Sequence, residues 1–306
     1  MGDDIVQCAV VAGGNGFLGQ ALVKRLLEKG CFVYNITKNK QAVFRHPSYR
    51  ELCGSTQELL RAIQMPPDVF FDLAWSGTSG SLRSDIGVQL ENVRVSCDYV
   101  KLTQELKIPR FVYFGSIMEF DCLNNLIGDN AAEFGIQNIY SASKLTAHMM
   151  TELFAKSYQL EFLPVIISNI YGEGEKTPRF INSMVRKMGT CESVDLTEGS
   201  QLYDFIYITD AVEMVIQIAE AGRPYKKYYI GNQKQYPLKE FVLRMKTILD
   251  YKGKLNFGAV PFMGIALRYD EFDVNSFYED FDFRPEISFE EGVRKLFEEC
   301  KRNGEF

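Results

Sequence analysis

Tyr140-Ser141-Ala142-Ser143-Lys144 sets a phenol and an ammonium four residues apart. On a helix, positions i and i+4 share a face, so the two side chains would point the same way. A phenol titrates near ~10 when unperturbed, too high for easy proton exchange at neutral pH. An ammonium held beside it favours the phenolate and lowers that value, which makes an acid/base group. The same spacing also occurs on solvated helix faces, so its meaning depends on the elements around it.

The first of those elements is Ala12-Gly13-Gly14-Asn15-Gly16-Phe17-Leu18-Gly19. It follows the short apolar run 6–11, of strand type, and precedes 20–29, where Leu18, Ala21, Leu22, Val23 and Leu26 form a helical stripe ended by Gly30. A second strand, 31–36, comes next. Gly14-x-Gly16-x-x-Gly19 therefore stands after a strand and opens a helix, where a dinucleotide fingerprint must. Its glycines allow the tight turn, the approach of backbone to a pyrophosphate and close packing of helix on strand. The pyrophosphate would rest on N–H groups at the helix N-terminus.

The rest of the chain agrees with an enzyme of this kind. It has 306 residues, 46% apolar and 24% charged, enough for a sizeable core. No run approaches the ~20 apolar residues of a membrane span. The acidic start Met1-Gly2-Asp3-Asp4 is unlike a secretory signal. Seven scattered cysteines without a CxxC suit reduced thiols in a cytoplasm. Neither histidine, His46 or His148, has a metal-ligand neighbourhood, so no metal is expected. A net charge of −6 gives no reason to expect nucleic acid.

Strand-like and helix-like segments alternate through the first half. Strands are expected at 69–74, 110–114 and 160–167, and helices at 89–106 and 139–158, the latter carrying the Tyr/Lys pair. In 89–106 the stripe is Leu90, Val93, Cys97, Val100 and Leu102. This is βαβ alternation, hence an α/β fold with a Rossmann-type doubly wound parallel sheet. A dinucleotide-binding domain is expected over 1–168. Residues 169–306, less regular and richer in loops, would form mainly a smaller C-terminal substrate-binding lobe, with some segments returning to the core.

Taken in order, these motifs make the chain resemble an extended short-chain dehydrogenase/reductase of the nucleotide-sugar epimerase, dehydratase and ketoreductase group. The landmarks are Gly13-x-x-Gly16-x-x-Gly19, Asp72-Leu73-Ala74-Trp75, Asn92, Gly115-Ser116, Tyr140-x-x-x-Lys144 and Asn169-Ile170-Tyr171-Gly172. The segments 204–210, 258–262 and 289–293 continue the match. The resemblance implies that Tyr140 exchanges a proton with a sugar oxygen, that Lys144 lowers its pKa and holds the nicotinamide ribose, and that Ser116 hydrogen-bonds the same oxygen. It implies that Gly13, Gly16, Phe17, Leu18, Gly19, Leu73, Ala74 and Trp75 contact the cofactor, and that Asn169 contacts substrate. It also implies a homodimer formed through the helices near 90–106 and 140–158.

Departures from the family pattern narrow the reaction. Sugar 4,6-dehydratases of the group carry an Asp-Glu pair directly after the catalytic hydroxyl residue, where this chain has Ile117 and Met118. Glu119, one place later, is expected by strand alternation to face away from Met118. Dehydration is therefore disfavoured, whereas 4-keto reduction and 4-epimerisation need only Tyr140, Lys144, Ser116 and the nicotinamide. The family's Arg residues are replaced by Ile166 and Tyr203, the second being the usual diphosphate clamp. Lys176, Arg179 and Arg268 are candidate replacements. At the end of the second strand, NAD-preferring relatives place an acidic residue. Here Thr37 is followed by Lys38, which favours NADP through attraction for a 2′-phosphate.

The expected function is NADPH-dependent reduction of a nucleotide-diphosphate 4-keto-6-deoxy sugar, forming a deoxysugar nucleotide for surface polysaccharide. The alternative is a 4-epimerase with tightly bound NAD. A non-catalytic NAD(P)-binding sensor has no need of Tyr140, Lys144 and Ser116 together. A ketone reductase of the flavonoid type shares those three residues but not Asn169-x-Tyr171-Gly172 or Val260-Pro261. A cytoplasmic location and no membrane partner are expected.

Overall fold

The structure is a computed structural model that describes residues 6–127, 135–262, 264 and 267–306, so the acidic start at 1–4 lies outside the described residues. The chain divides into two compact units, Met1–Ile167 with Val212–Tyr228, and Ser168–Ala211 with Tyr229–Phe306.

The first unit alternates strand and helix: β1 (Cys8–Ala12), α1 (Phe17–Glu28), β2 (Phe32–Ile36), β3 (Tyr49–Leu52), α2 (Thr56–Ala62), β4 (Val69–Asp72), α3 (Ile86–Glu105), β5 (Arg110–Ser116), α4 (Glu119–Ile127), α5 (Ile139–Ser157) and β6 (Glu161–Ile167). Neighbouring strands from β3 through β6 pair in parallel. β1 and β4 are buried at every position, as parallel strands covered on both faces must be. The register sets Phe70 beside Phe111 and Phe111 beside Phe162. Their rings stack across three strands with centroids 5.4 and 6.1 Å apart, and this stack anchors the middle of the core.

In the second unit β7 (Asn169–Tyr171), α6 (Phe180–Gly189), β8 (Val194–Leu196), β9 (Leu202–Tyr203) and β10 (Phe205–Tyr207) precede α7 (Ile208–Ala221) and β11 (Tyr228–Ile230), which lie at the two chain crossings. β12 (Tyr236–Pro237), α8 (Leu238–Ile248), β13 (Leu255–Phe257) and α9 (Phe289–Arg302) complete it. Two of its strand pairs, β7–β10 and β8–β13, are parallel and β9–β12 is antiparallel. The large sheet runs in the order β11-β6-β5-β4-β1-β2-β3. Strand order reverses between β1 and β4, and such a switch point opens a ligand crevice beyond the carboxyl ends of the strands.

The apolar stripe read on α3 lies on the observed helix, and its members divide by burial. Val93, Cys97, Val100 and Leu102 are buried together with Gln89, Asn92, Ser96 and Thr103, whereas Leu90 is 58% exposed. The buried face of α3 is partly polar because it borders the crevice, and Leu90 joins Ile86 on an outward apolar face.

The glycine loop is shaped by contact distances. A Cβ on Gly19 would stand 2.2 Å from the Gly13 carbonyl oxygen, and one on Gly13 would stand 2.8 Å from the Ala74 nitrogen. Gly13 also has a φ of +88°, a region where a side chain is strained. Gly19→Ala should therefore force α1 away from the loop, at a cost of about 1–3 kcal/mol in stability. Dinucleotide affinity, read by calorimetric titration, should fall roughly tenfold or more. Unchanged binding would mean that the loop does not need this close approach.

Candidate active site

The crevice beyond β1, β2 and β4 is a cleft of about 210 Å³ whose walls include Gly13, Thr37, Lys38, Ala74 and Trp75. Asn15, Ser76 and Asn92 also line it. Gly16 caps α1 without a side-chain hydrogen bond, and the first turn of that helix has no acidic residue. Its N–H groups and positive dipole end suit an anion such as a pyrophosphate. Phe17 and Leu18 occupy this turn, and Leu73 N–H donates to the Ala12 carbonyl at 3.0 Å, tying the two sides of the crevice. The cradle fits a dinucleotide.

One buried side chain shapes the loop, and sequence reasoning missed it. Asn35, on β2, accepts the Gly14 N–H at 2.9 Å through Oδ1. Its amide nitrogen donates to Asn15 Oδ1 and to the Tyr49 hydroxyl, each at 2.8 Å. A buried asparagine among β-branched and aromatic residues was the available signal. At the rim, Lys38 Nζ donates to Ser76 Oγ at 3.0 Å. Glu51, on β3, accepts from Asn15 Nδ2 at 2.9 Å, from Thr37 Oγ1 at 3.4 Å, and from the Gln41 and Ala42 N–H groups at 2.9 Å. Its carboxylate thus folds the segment that carries Thr37 and Lys38.

Helix α5 carries Tyr140 and Lys144 on its buried face, as their spacing requires. Lys144 Nζ donates to the Phe114 carbonyl at 2.8 Å and lies 3.7 Å from the centroid of a Trp75 ring. Trp75 meets Tyr140 edge-on at 6.1 Å. Burial pulls the Lys144 ammonium down to about 8, while Asp72 and Glu119 act to raise it. Burial pushes the fully enclosed Asp72 carboxyl up to about 6, against the effect of Ser96 and Lys144. Each of the two groups thus acts on the other against the shift that burial imposes.

Ser116 ends β5, and its Oγ accepts the Met118 N–H at 3.2 Å. The chain does not continue as a strand beyond it, which corrects the alternation expected for Glu119. Glu119 opens α4 and is buried, its Oε1 accepting the Ser116 N–H at 2.9 Å. Its Oε2 lies 2.6 Å from His148 Nδ1. Ser116-x-x-Glu119 is the sequence of a capping box, and reading it as one would have found this turn. His148 follows Lys144 by four residues, so Tyr140, Lys144 and His148 are successive residues of one α5 face. Tyr113, between them, donates its hydroxyl to the Lys144 carbonyl at 2.9 Å.

In the second unit Asn169 Nδ2 donates to the Tyr269 hydroxyl at 3.3 Å. That hydroxyl donates to Asp204 Oδ1 at 3.1 Å, and the Asn232 N–H donates to Oδ2 at 2.9 Å. Burial holds the Asp204 carboxyl above its usual range. This unit also has a cleft of about 790 Å³ lined by Gln201, Leu202, Val260, Pro261 and Phe262 among others. None of the three expected replacement cations is among its lining residues. Lys176 is exposed. Arg179 Nε pairs with the buried Glu175 at 2.9 Å, and Arg268 pairs with Asp270 at 3.2 Å in solvent. Tyr203 lies in an adjoining cavity of about 250 Å³ together with Lys239, a cation that sequence reasoning missed. Among the described residues no cluster of His, Cys, Asp or Glu could hold a metal, and no helix is long and apolar enough to cross a membrane.

A model of the NAD dependent epimerase/dehydratase family matches residues 9–231. The CDP-abequose synthase of Salmonella muenchen is 24% identical over 303 residues, covering 96% of this chain and 98% of that protein. The CDP-abequose synthase of Yersinia pseudotuberculosis is 23% identical over 256 residues, covering 81% and 87%. The dTDP-glucose 4,6-dehydratase of Bacillus anthracis, solved with NAD, superposes with a TM-score of 0.77 at 22% identity over 98% of each chain.

His148→Leu should leave one buried Glu119 oxygen without its hydrogen-bond partner, a loss of about 1–3 kcal/mol in unfolding free energy. The double variant Glu119→Gln/His148→Leu should lose less than the sum of the two singles, because the broken contact is counted once. Denaturant unfolding of the two singles and the double checks this; strictly additive losses would show the pair uncoupled.

Proposed function

The chain belongs to the NAD dependent epimerase/dehydratase family, and from that membership we propose that it reduces the 4-keto group of a nucleotide-diphosphate 4-keto-6-deoxy sugar. The product would be a deoxysugar nucleotide for a surface polysaccharide. The observation that carries this reading is the turn after Ser116. Ile117 and Met118 have no transferable proton, and Glu119 has one oxygen on the Ser116 N–H and the other on His148, inside the core. Removal of water across C5 and C6 therefore lacks its acid and base, while proton transfer to a C4 oxygen keeps all it needs.

Each residue then has a role. Tyr140 gives its proton to the carbonyl oxygen as that oxygen gains electron density. The Ser116 hydroxyl, whose own oxygen is already fixed by the Met118 N–H, donates to the same atom. Lys144 supplies the positive charge that makes the phenolate left behind less costly. The glycine loop, Thr37, Lys38, Leu73, Ala74 and Trp75 hold the cofactor, whose nicotinamide supplies the hydride. In the second unit, Asn169 would meet the sugar. Lys239, in the cavity beside Tyr203, is the better placed cation for the diphosphate, with Lys176, Arg179 and Arg268 as the further candidates. The names of the two synthase relatives carry CDP, so a CDP-linked keto sugar is the first to try.

Lys38 at the cleft rim supports NADP, because it adds attraction for a 2′-phosphate. A second reading, NAD, is favoured by Glu51, whose carboxylate is bonded to both Asn15 and Thr37 and would repel that phosphate. Exposed Ile86 and Leu90 on α3, and Met149, Met150 and Leu153 on α5, support a homodimer through those two helices. We place the reaction in the cytoplasm.

Purified protein mixed with NADPH, or with NADH in parallel, and a panel of nucleotide 4-keto-6-deoxy sugars tests the proposal. Stoichiometric loss of reduced cofactor with one of them is the expected result. Interconversion of C4 isomers without added cofactor would make the protein an epimerase instead. Lys38→Glu should raise the Kd for NADPH at least tenfold while leaving NADH within about twofold. Equal effects on the two would remove Lys38 as the discriminating residue.

A further inference from the structure

The three catalytic side chains do not account for everything packed on Tyr140. Arg83 lies in the turn Ser81–Ser84 that follows β4, and its guanidinium carbon stands 3.8 Å from the centroid of the Tyr140 ring. Its Nη1 donates to the Thr78 carbonyl at 2.9 Å, which fixes the plane of the group within its own turn. Tyr140 is 7% exposed and Arg83 is half-buried, so the ring side of this contact lies away from water. The phenol is thus held between a guanidinium on its ring and the edge of Trp75.

α5 and the elements near it carry further charged and titratable groups. α5 contributes Lys144, whose Nζ is engaged by the Phe114 carbonyl and by the Trp75 ring. β5 contributes Tyr113, a phenol that burial keeps well above its ordinary range, hence neutral. The end of β4 contributes Asp72. α4 contributes Glu119, paired with His148, and Asp121, which accepts from Asn138 Nδ2 at 2.7 Å. The carboxylates disfavour a phenolate, and Lys144 is the one cation the family pattern supplies against them. Its charge is not permanent, since burial brings it to about 8. A guanidinium does not deprotonate in this range.

A cation over a neutral phenol is attracted by the ring quadrupole alone. Once the proton has left, the ring and its oxygen carry a full negative charge, and the attraction becomes that of an ion pair in a poorly hydrated site. The interaction is therefore stronger with the ionised form, and that difference lowers the pKa. We propose that Arg83 is a second cationic partner of Tyr140, which positions the ring and stabilises its phenolate. The proposal rests on Tyr140 being the proton-transfer group, and it does not depend on which sugar is the substrate.

Its test needs no substrate. The phenolate absorbance of Tyr140 is isolated as the difference between a protein and its Tyr140→Phe counterpart, titrated with and without saturating oxidised cofactor. This is done for the wild type, Arg83→Lys and Arg83→Met, with thermal melts to show that each is folded. The wild-type midpoint should lie below the ordinary phenol value. Arg83→Met should raise it by about one to two pH units, with Arg83→Lys recovering most of the shift. At pH 7 the phenolate fraction then falls roughly tenfold for each unit. A folded Arg83→Met whose midpoint matches the wild type overturns the proposal. A wild-type midpoint at the ordinary value would instead overturn the role given to Tyr140 itself.

Discussion

The seam between the end of β5 and the buried face of α5 is what the chemistry depends on. Three bonds close it within a few residues: Tyr113 hydroxyl to the Lys144 carbonyl, Lys144 Nζ to the Phe114 carbonyl, and His148 to Glu119, which in turn holds the Ser116 N–H. Tyr140 and Lys144 come from the helix and Ser116 from the strand, so their mutual geometry is only as fixed as this seam. A catalytic hydrogen bond loses much of its value when misplaced by about 1 Å. The seam is rigid because it is dry. Glu119 and His148 are buried, and the rings of Tyr113 and Phe162 lie beside the imidazole with centroids 5.2 and 6.0 Å away.

Burying charge in this way is expensive, and the enclosed charges moderate one another. Asp72 and Lys144 are both fully enclosed, and each moderates the shift that burial imposes on the other. Glu119 faces His148 on one side and a backbone N–H on the other. The consequence for function is selective. A carboxylate is available at this position in sequence, but the fold uses it in structure, and on the proposed reading the site keeps a hydroxyl acid/base set without the pair that elimination requires. Around the glycine loop, likewise, Asn35 and Glu51 hold backbone, while Lys38 and Gly13 line the cleft.

Much of this was legible in the sequence because it is local. The glycine loop needs only a strand before it and a helix after it. Tyr140 and Lys144 need only helical spacing. The order of β1, α1 and β2 follows from runs of apolar residues a few positions long, and strand ends fell within about two residues of those expected. What escaped was set by contacts far apart in the chain. Asn35 meets Gly14 across 21 positions and His148 meets Glu119 across 29. Glu119 was misplaced because strand alternation was extended past Ser116, although Ser116-x-x-Glu119 already marked a helix start. Leu90 shares an apolar stripe by helical spacing, and spacing alone does not say which of two apolar faces is covered. Arg83 and Lys239 lie outside every motif and acquire neighbours only in the folded chain.

The measurement that reaches the centre of this account is the fate of the C5 proton. Reduction of a nucleotide 4-keto-6-deoxy sugar is run in deuterated water with NADPH and followed by NMR of the product. With Glu119 locked to His148 and no base in its place, C4 should gain one protium from the cofactor. C5 should keep its own proton beyond what exchanges without protein. Deuterium entering C5 at a rate tied to turnover would show a working base at the site, and would contradict the assignment of Glu119 to structure.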